Sequence, residues 1–291
     1  MVYKIILTTF ICFIFITSCN TTTEKKGENT SPENTENPTN RVILSSEIVW
    51  KKLNPARGDQ SPLAGTIWGD RKNEVPTGFL AKFVDGFSSP PHIHNVTYRA
   101  VVIKGTIHND DPEAENMWMK PGSFWTQPQG EAHITAAKGT ENIALVEIDK
   151  GPYLVKPIEE AFDNGERPIN IDVSNIVWLD HNQTNWVAPN SKAKISFLWE
   201  NPSTKAINKG LFVKLPKGFK GQLLSNGDVL HAVIILGQLS YTMPDTKEIK
   251  NLDSGSYFGA SSKTYHDLAN KNTEEIILYL RTNGNIYIKE R

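Results

Sequence analysis

The chain has 291 residues, 38% of them hydrophobic, and a formal net charge of −1. Basic residues come at most in pairs such as Lys25 and Lys26, so a nucleic acid is not an expected partner. The cysteines are Cys12 and Cys19, which excludes a disulfide framework and a metal site built from several thiolates.

The N-terminal residues have the features of an export signal. Lys4 precedes an apolar run over residues 5–16, which is short for a membrane span and typical of a signal peptide. The ending Ile16-Thr17-Ser18-Cys19 resembles the lipobox of bacterial lipoproteins, which implies cleavage before Cys19 and a lipid on its thiol. We predict a lipoprotein signal peptide over residues 1–18; the alternative is an ordinary secretory signal with an incidental cysteine.

A polar segment follows the signal. Residues 20–41 contain few apolar groups that could form a core, so burying them would not compensate for the conformational entropy lost on ordering. We predict a flexible tether over residues 19–42. The protein would be exported, attached to the cell membrane or outer membrane through its lipid alone, and exposed to the periplasm or the cell surface.

The remaining residues contain an internal repeat. Segments that match in order are Ser46–Trp50 with Ser174–Trp178, Gly78–Phe87 with Gly210–Phe219, Pro121–Phe124 with Ser254–Tyr257, and Asn142–Glu147 with Glu275–Leu280. Their offset drifts only from 128 (174 − 46) to 133 (275 − 142), as small loop insertions would produce. We therefore predict two equivalent units, over residues 43–157 and 158–291, that pack through a largely apolar interface.

Both units are predicted to be all-β. Short stretches rich in Val, Ile, Phe, Tyr and Trp alternate with clusters of Gly, Pro, Asn and Asp, which is typical of antiparallel strands in a sandwich or small barrel. A single turn of helix is expected, over residues 158–162, in the connection between the units.

Two motifs stand in the first unit and carry its chemistry. In the first, Gly86 precedes His92, His94, Tyr98 and Gly105; in the second, Gly122 precedes Pro128, Gly130 and His133. These spacings resemble the two signature motifs of the cupin superfamily, and the repeat extends the resemblance over both units. The resemblance implies an all-β fold of two tandem cupin (RmlC-like jelly-roll) β-barrels.

This sequence departs from the cupin motifs at two positions. Tyr98 stands where the superfamily usually has a metal-binding glutamate, and Ala137 replaces the asparagine that ends the second motif. The two-unit layout on an exported chain resembles a family of bicupins of unknown function. The first unit also resembles the cupin-like domain of zinc-binding anti-sigma factors.

The histidines of the first unit form a candidate metal site. His92 and His94 have equal parity on a strand and project to one face, Tyr98 joins them if the strand is regular, and Arg99 faces outward. A hairpin would bring His133 opposite. Three neutral imidazoles suit one divalent Fe, Zn, Mn, Ni or Cu ion, of which we favour Fe or Zn, and leave positions for a small-molecule ligand.

Tyr98 has two interpretations. As a phenol it is a poor metal ligand, and we assign it as a candidate catalytic residue that donates a hydrogen bond to a bound oxygen. The alternative is an aromatic side chain that lines the barrel without a role. Trp118 and Trp125 flank the second motif and are candidates to line the barrel mouth.

The second unit lacks the ligand set. Leu224 and Asn226 stand at the positions of the first two histidines, and His231 has the wrong parity to replace them. His266, the counterpart of His133, is expected to be a buried, hydrogen-bonded histidine. The remaining histidines of the folded part, His108 and His181, lie among turn residues and are expected to be solvated.

Three functions are compatible with this sequence. The first is a three-histidine Fe(II) dioxygenase-like enzyme, as the cupin resemblance implies; the second is a non-catalytic zinc- or ligand-binding or sensing module. The third is a structural bicupin without metal. Partners are a small molecule, the membrane through the lipid anchor and, as an open alternative, a second copy of the chain in a homodimer.

Overall fold

The computed structural model describes residues 40–202 and 207–291 of the chain. The predicted signal peptide, Cys19 and nearly all of the predicted tether lie outside these residues. In the part that is described, we find no helix with the length and apolar character that a membrane span needs.

Strands dominate the described residues. In the first half (residues 40–157) they are β1 (Arg41–Ile43), β2 (Lys51–Lys52), β3 (Leu63–Trp68), β4 (Thr77–Phe83), β5 (His92–His94), β6 (Tyr98–Asp110), β7 (Phe124–Gln127), β8 (Ile134–Ile148) and β9 (Val155–Pro157). In the second half (residues 158–291) they are β10 (Ile169–Ile171), β11 (Lys194–Pro202), β12 (Ile207–Leu215), β13 (Lys220–Ser225), β14 (Leu230–Leu236), β15 (Leu239–Thr242), β16 (Ile249–Leu252), β17 (Tyr257–Ala260), β18 (Thr264–Ala269), β19 (Ile276–Thr282) and β20 (Ile286–Glu290).

Helical segments in these ranges are short 3₁₀ turns. They are Ser45–Glu47, Pro55–Gln60, Ile158–Glu160 and Val173–Asn175. The turn Ile158–Glu160 lies in the connection between the halves, where the sequence predicted one turn of helix.

The strands form two tandem cupin barrels, as predicted. A seven-stranded antiparallel sheet has the order β10-β7-β6-β8-β4-β3-β2, and β5 pairs with β9 beside it. In the second half, a six-stranded sheet (β1-β17-β14-β19-β12-β11) faces a five-stranded one (β16-β15-β18-β13-β20).

Strand β6 bends at Gly105, which has a φ of 70° that favours glycine. The β6–β8 register shifts twice: β6 has one extra residue between Val102 and Lys104, and β8 has the extra residues between Ile143 and Lys138, so the ladder curls around the first barrel. Because a bulge inserts a residue, the parity of inward-facing side chains changes from even at Val102 to odd at Ile107.

Each half places one short strand in the sheet of the other half. β1 pairs with β17, and β10 pairs with β7, both antiparallel. These two pairings cross the division predicted at residue 157, which otherwise stays a prediction. They tie the halves together through main-chain hydrogen bonds in addition to side-chain packing.

Three apolar clusters account for the core. One fills the first barrel around Phe79, Val102 and Trp125, and a second fills the second barrel around Phe219 and Phe258. The third lies between the sheets of the two halves and joins first-half residues such as Leu80 to second-half residues such as Phe212. The largely apolar interface agrees with the prediction.

Two expectations for exposed side chains are wrong. His108 is fully buried rather than solvated, because β6 continues through it, Ala136 pairs with it on β8, and the ring of Trp118 lies 6.0 Å away. Trp125 is 2% exposed and belongs to the barrel core rather than to an open mouth. His181 is exposed, as expected.

Candidate metal centre

The short strand β5 places two of the predicted ligands. His92 and His94 alternate with Ile93, so both imidazoles point to one side while Ile93 packs on the other. β5 is held on one edge by β9, where His94 pairs with Val155. This pairing fixes the strand although it has only three residues.

His133 reaches the same place from the segment between β7 and β8. Its N–H donates to the carbonyl of His92, and the N–H of His92 donates to the carbonyl of His133, both at 3.0 Å. Gly130 has a φ of 79°, which turns the chain sharply before His133, and its N–H donates to the carbonyl of His94. The two motifs are therefore joined by main-chain hydrogen bonds.

The three imidazoles form a compact group. One ring nitrogen from each of His92, His94 and His133 lies within 4.8 Å of the others, and this is the single such group of three among the described residues. Their ring centroids are 4.3 to 5.2 Å apart. The exposed fractions are 9%, 2% and 0% respectively, so bulk water has little access.

A backbone carbonyl fixes the orientation of each ring. The Nδ1 of His92 lies 2.9 Å from the Pro90 carbonyl, that of His94 3.1 Å from Leu154, and that of His133 3.2 Å from Glu131. A carbonyl accepts hydrogen bonds only, so each Nδ1 carries the proton and each Nε2 presents a lone pair. Such anchoring of the second nitrogen is usual for histidines that bind metals.

Burial favours the neutral form of these rings. Loss of hydration lowers the pKa of His92, lowers that of His94 well below its ordinary value, and lowers that of His133 to about 3. Neutral imidazoles are the form that binds metals, so the donor set fits a divalent ion.

Tyr98 lies beside the histidines but is occupied by another partner. Its ring centroid is 5.1 Å from that of His94, and its O–H donates to the Asn109 side chain at 2.8 Å. Burial raises the pKa of this phenol well above its ordinary value. Tyr98 is therefore a neutral hydrogen-bond donor and supplies no anionic oxygen to the site.

A chain of neutral side chains links Tyr98 to an anchoring carbonyl. Asn109 donates to Gln127 at 2.9 Å, and Gln127 donates to the Glu131 carbonyl at 3.2 Å, which also holds the ring of His133. Neither Asn109 nor Gln127 was predicted from the sequence. The extra residue of β6 between Val102 and Lys104 hid Asn109, since it reverses the parity that places this side chain inside.

Tyr153 is a third residue of the site that was not predicted from the sequence. Its ring stacks on His94 at 4.5 Å, and its O–H donates to the Nε2 of His94 at 3.2 Å. It comes from the irregular segment between β8 and β9, which carries no periodic pattern or motif. The structure places it there because Leu154 and Val155 run alongside β5.

The second half has no equivalent group among its described residues. His266 is fully buried and its Nδ1 lies 2.8 Å from the Tyr241 hydroxyl, as predicted for a structural histidine. Asn226 is exposed, and His231 lies between the halves, where its ring stacks on Trp68 at 4.5 Å. The asymmetry between the copies is therefore present in the structure.

Comparisons with solved structures agree with the fold. A candidate dioxygenase from Nostoc punctiforme PCC 73102 superposes with a TM-score of 0.64 at 13% identity, over 84% of this chain and 83% of that one. A salicylate 1,2-dioxygenase variant from Pseudoaminobacter salicylatoxidans, in complex with gentisate, gives 0.54 at 13% identity, over 87% and 86%. Oxalate decarboxylase from Lactobacillus farciminis, in its formate complex, gives 0.54 at 11% identity, over 86% and 88%.

At such low identity these likenesses establish the two-barrel cupin fold and nothing finer. No curated protein matches the sequence. A family model does match, over residues 41–289, which cover most of the chain. The chain therefore belongs to the family described as a domain of unknown function, DUF4437.

Proposed function

We propose that the first half binds one divalent metal ion through the Nε2 atoms of His92, His94 and His133, and that the loaded site converts a small molecule. The observation that carries this proposal is the anchoring of all three Nδ1 atoms on backbone carbonyls. With the proton on Nδ1, the Nε2 atoms of the three rings are left as acceptors, and one ring nitrogen of each histidine lies within 4.8 Å of those of the other two, as a shared ion requires.

The residues of the chain have separable roles at this site. The three neutral imidazoles hold the ion, which when bound supplies a Lewis acid and, in the case of iron, a centre for oxygen chemistry. Tyr98 keeps its proton, which it donates to Asn109, and its hydroxyl oxygen lies at the inner side of the site, 3.5 Å from the Nε2 of His133. The Tyr153 O–H donates to the Nε2 of His94 in this structure and would give up this hydrogen bond to the ion, which leaves the hydroxyl as a free donor beside the site; the apolar ring of Phe79 packs edge-on against Tyr153.

Iron or zinc is the metal that we favour. The donor set contains three imidazole nitrogens and no thiolate or carboxylate, which suits Fe(II), Zn, Ni and Cu better than the oxygen-seeking ions Mg and Ca. An iron-loaded site supports an oxygenase-type enzyme resembling the dioxygenases among the structural neighbours.

A zinc-binding or sensing module is the second candidate, as the resemblance to anti-sigma cupin domains implies. The observation that favours it is the burial of the site, since His94 and His133 are 2% and 0% exposed. A closed site suits an ion that is held permanently. The third alternative, a structural bicupin without metal, is separated from both by the metal content.

We further propose that the protein is exported and attached to a membrane through a lipid on Cys19. This proposal rests on the lipobox resemblance in the sequence. The site would then face the periplasm or the cell surface, where small-molecule ligands arrive by diffusion. A second copy of the chain stays an open alternative as a partner.

The decisive experiment is elemental analysis of the protein purified without a histidine tag. One equivalent of iron, with oxygen consumption when gentisate, salicylate or oxalate is added, supports the enzyme. One equivalent of tightly held zinc without turnover supports the sensing module. No bound metal after purification and after reconstitution with Fe, Zn, Mn, Ni and Cu overturns both.

A further inference from the structure

A cluster of four charged side chains lies between the two halves, beside the metal centre. Glu147 and Asp149, at the end of β8, and Arg99, at the start of β6, come from the first half; Arg281 comes from β19 of the second. Arg99 and Arg281 contact Asp149 at 3.0 and 2.7 Å, and Arg281 lies 3.4 Å from Glu147.

The cluster is enclosed by the second half. The side chains of Arg281 and Glu147 are 3% and 1% exposed, and that of Arg99 is 10% exposed. Strand parity predicted that Arg99 faces outward. Its side chain does point out of the barrel, but the ring of Trp199 covers the guanidinium group at 3.8 Å. Asn201, also from the second half, donates to Asp149 at 2.9 Å.

The charged cluster is close in sequence to both tyrosines of the metal centre. Arg99 directly follows Tyr98, and Asp149 begins the segment that continues to Tyr153. Burial by itself would raise the pKa of Asp149, but the guanidinium groups of Arg99 and Arg281 lower it overall, so this carboxylate is charged. The Asp149 side chain is 33% exposed, but Arg99, Arg281 and Asn201 all bind its carboxylate, so Asp149 is a fixed point for the chain that follows.

The segment after Asp149 completes the site. Residues 150–154 carry the Tyr153 phenol to His94 and the Leu154 carbonyl to its Nδ1. This segment is also held within the first half, where Asn95 binds the Pro152 carbonyl and the Leu154 N–H. The contacts to Asp149 from the second half are the attachment at its other end.

We propose that the second half, which lacks the ligand set, is a positioning unit for the metal centre of the first. Arg281 and Asn201 hold Asp149, and Asp149 holds the segment that orients His94. These are positioning residues rather than ligands. The inference rests on the proposed metal site, and it assigns a role to the copy of the repeat that has no chemistry of its own.

The interface offers a matched control on its other side. In the repeat, Trp68 corresponds to Trp199, and His231 corresponds to Arg99. The contact between Trp68 and His231, whose rings stack at 4.5 Å, is therefore the counterpart of the contact between Trp199 and Arg99. His231 is held there by the Tyr257 hydroxyl at 2.8 Å from its Nδ1. Tyr257→Phe removes a buried hydrogen bond of the same interface and leaves Asp149 with all its partners.

The test compares Asp149→Asn, Asn201→Ala and Tyr257→Phe in the full chain, by Zn²⁺ titration against a chromophoric chelator and by the visible spectrum with Co²⁺. We expect Asp149→Asn to weaken metal binding about tenfold, the lower end of the effect of outer-shell partners, and to shift the Co²⁺ bands. Asn201→Ala should act in the same direction more weakly. Tyr257→Phe should leave affinity and spectrum unchanged.

Hydrogen exchange supplies a readout without metal. The N–H of Tyr153 donates to the Arg71 carbonyl, and that of Leu154 to Asn95, and both should exchange faster in Asp149→Asn than in Tyr257→Phe. Arg281→Lys keeps the charge but loses the planar group whose two terminal nitrogens reach Asp149 and Glu147, and it should lie between wild type and Asp149→Asn.

The outcomes separate the two proposals. A wild-type protein that binds no metal overturns the proposed function and this inference with it. A wild-type protein that binds metal, together with unchanged affinity and Co²⁺ spectrum in Asp149→Asn, overturns the inference alone. Equal losses in Asp149→Asn and Tyr257→Phe would also overturn it, because the effect would then be general destabilisation of the interface.

Discussion

Substitution of His94 by alanine removes one imidazole from the candidate metal centre with a defined geometric consequence. His94 is 2% exposed, and one of its ring nitrogens lies within 4.8 Å of a ring nitrogen of each of the other two histidines. Tyr98 cannot take its place as an anionic ligand, since its hydroxyl donates to Asn109 at 2.8 Å. Two imidazoles would remain, with no carboxylate or thiolate in the set.

The expected loss of metal affinity follows from the number of ligands. Structural zinc sites with four ligands contribute about 10–16 kcal/mol, or about 2.5–4 kcal/mol for each ligand. Since about 1.4 kcal/mol corresponds to a tenfold change, His94→Ala should weaken binding by about 10²–10³-fold. The apoprotein should lose about 1–3 kcal/mol of stability as well, because a buried ring that stacks on Tyr153 is removed.

Two kinds of measurement and one control separate the loss of metal binding from the loss of stability. Elemental analysis after purification, and titration with Zn²⁺ against a chelator, report binding; circular dichroism and urea unfolding report the folded fraction. His266→Ala is the matched control, because His266 is also fully buried and hydrogen-bonded but belongs to no group of three possible metal ligands among the described residues. It should cost similar stability and keep one equivalent of metal.

The opposite pattern of metal binding in these two variants would refute the assignment of the metal site to the first half. If His266→Ala abolished metal binding while His94→Ala retained it, the site would belong to the second half. If both variants kept the ion with wild-type affinity, the ion would be bound elsewhere and the three histidines would be a packed cluster.

Three further predictions concern other parts of the chain. Burial lowers the pKa of His231 and of His266 to about 3, against about 6.5 in the unfolded chain, so both contribute full stability above pH 6.5 and less as the pH falls towards 3. Between pH 7 and 5, the free energy of unfolding in urea should fall by up to about 2 kcal/mol per histidine. The fall should be smaller in His266→Phe, which lacks one of the two histidines. A free energy of unfolding that does not change with pH would contradict this prediction. Tyr98→Phe should keep the metal and lose about 1–3 kcal/mol of stability, since the Asn109 acceptor loses a buried donor; loss of the metal would make the phenol a ligand. Cys19→Ser should move the protein from the membrane fraction to the soluble exported fraction, and unchanged membrane association would disprove the lipid anchor.

The positions of the metal-binding histidines could be predicted from local features of the sequence. Strand parity placed His92 and His94 together, and motif spacing brought in His133, because these relations depend on a few neighbouring residues. The same rules failed at His108, which stands beside the polar residues Asn109 and Asp110. Turn-forming composition there suggested exposure, but the β6–β8 ladder continues through this stretch and buries it.

Residues that complete the site come from non-local packing. Tyr153 lies in an irregular segment, and its contact with His94 depends on how the chain returns from β8 to β5. Likewise, the sequences of β1 and β10 do not indicate that each of these strands pairs with a sheet of the other half. A three-residue strand can pair with any open edge of a sheet.

The sequence by itself determined the repeat, the two-barrel fold, and the presence of the ligand set in one copy only, since each follows from residue types at fixed spacings. The tertiary structure alone decided which backbone carbonyls orient the three rings, that Tyr98 is tied to Asn109, and that Arg281 contacts Asp149. The physical reason is that these contacts join residues far apart in the chain, such as positions 149 and 281, whose distance depends on the packing of both halves.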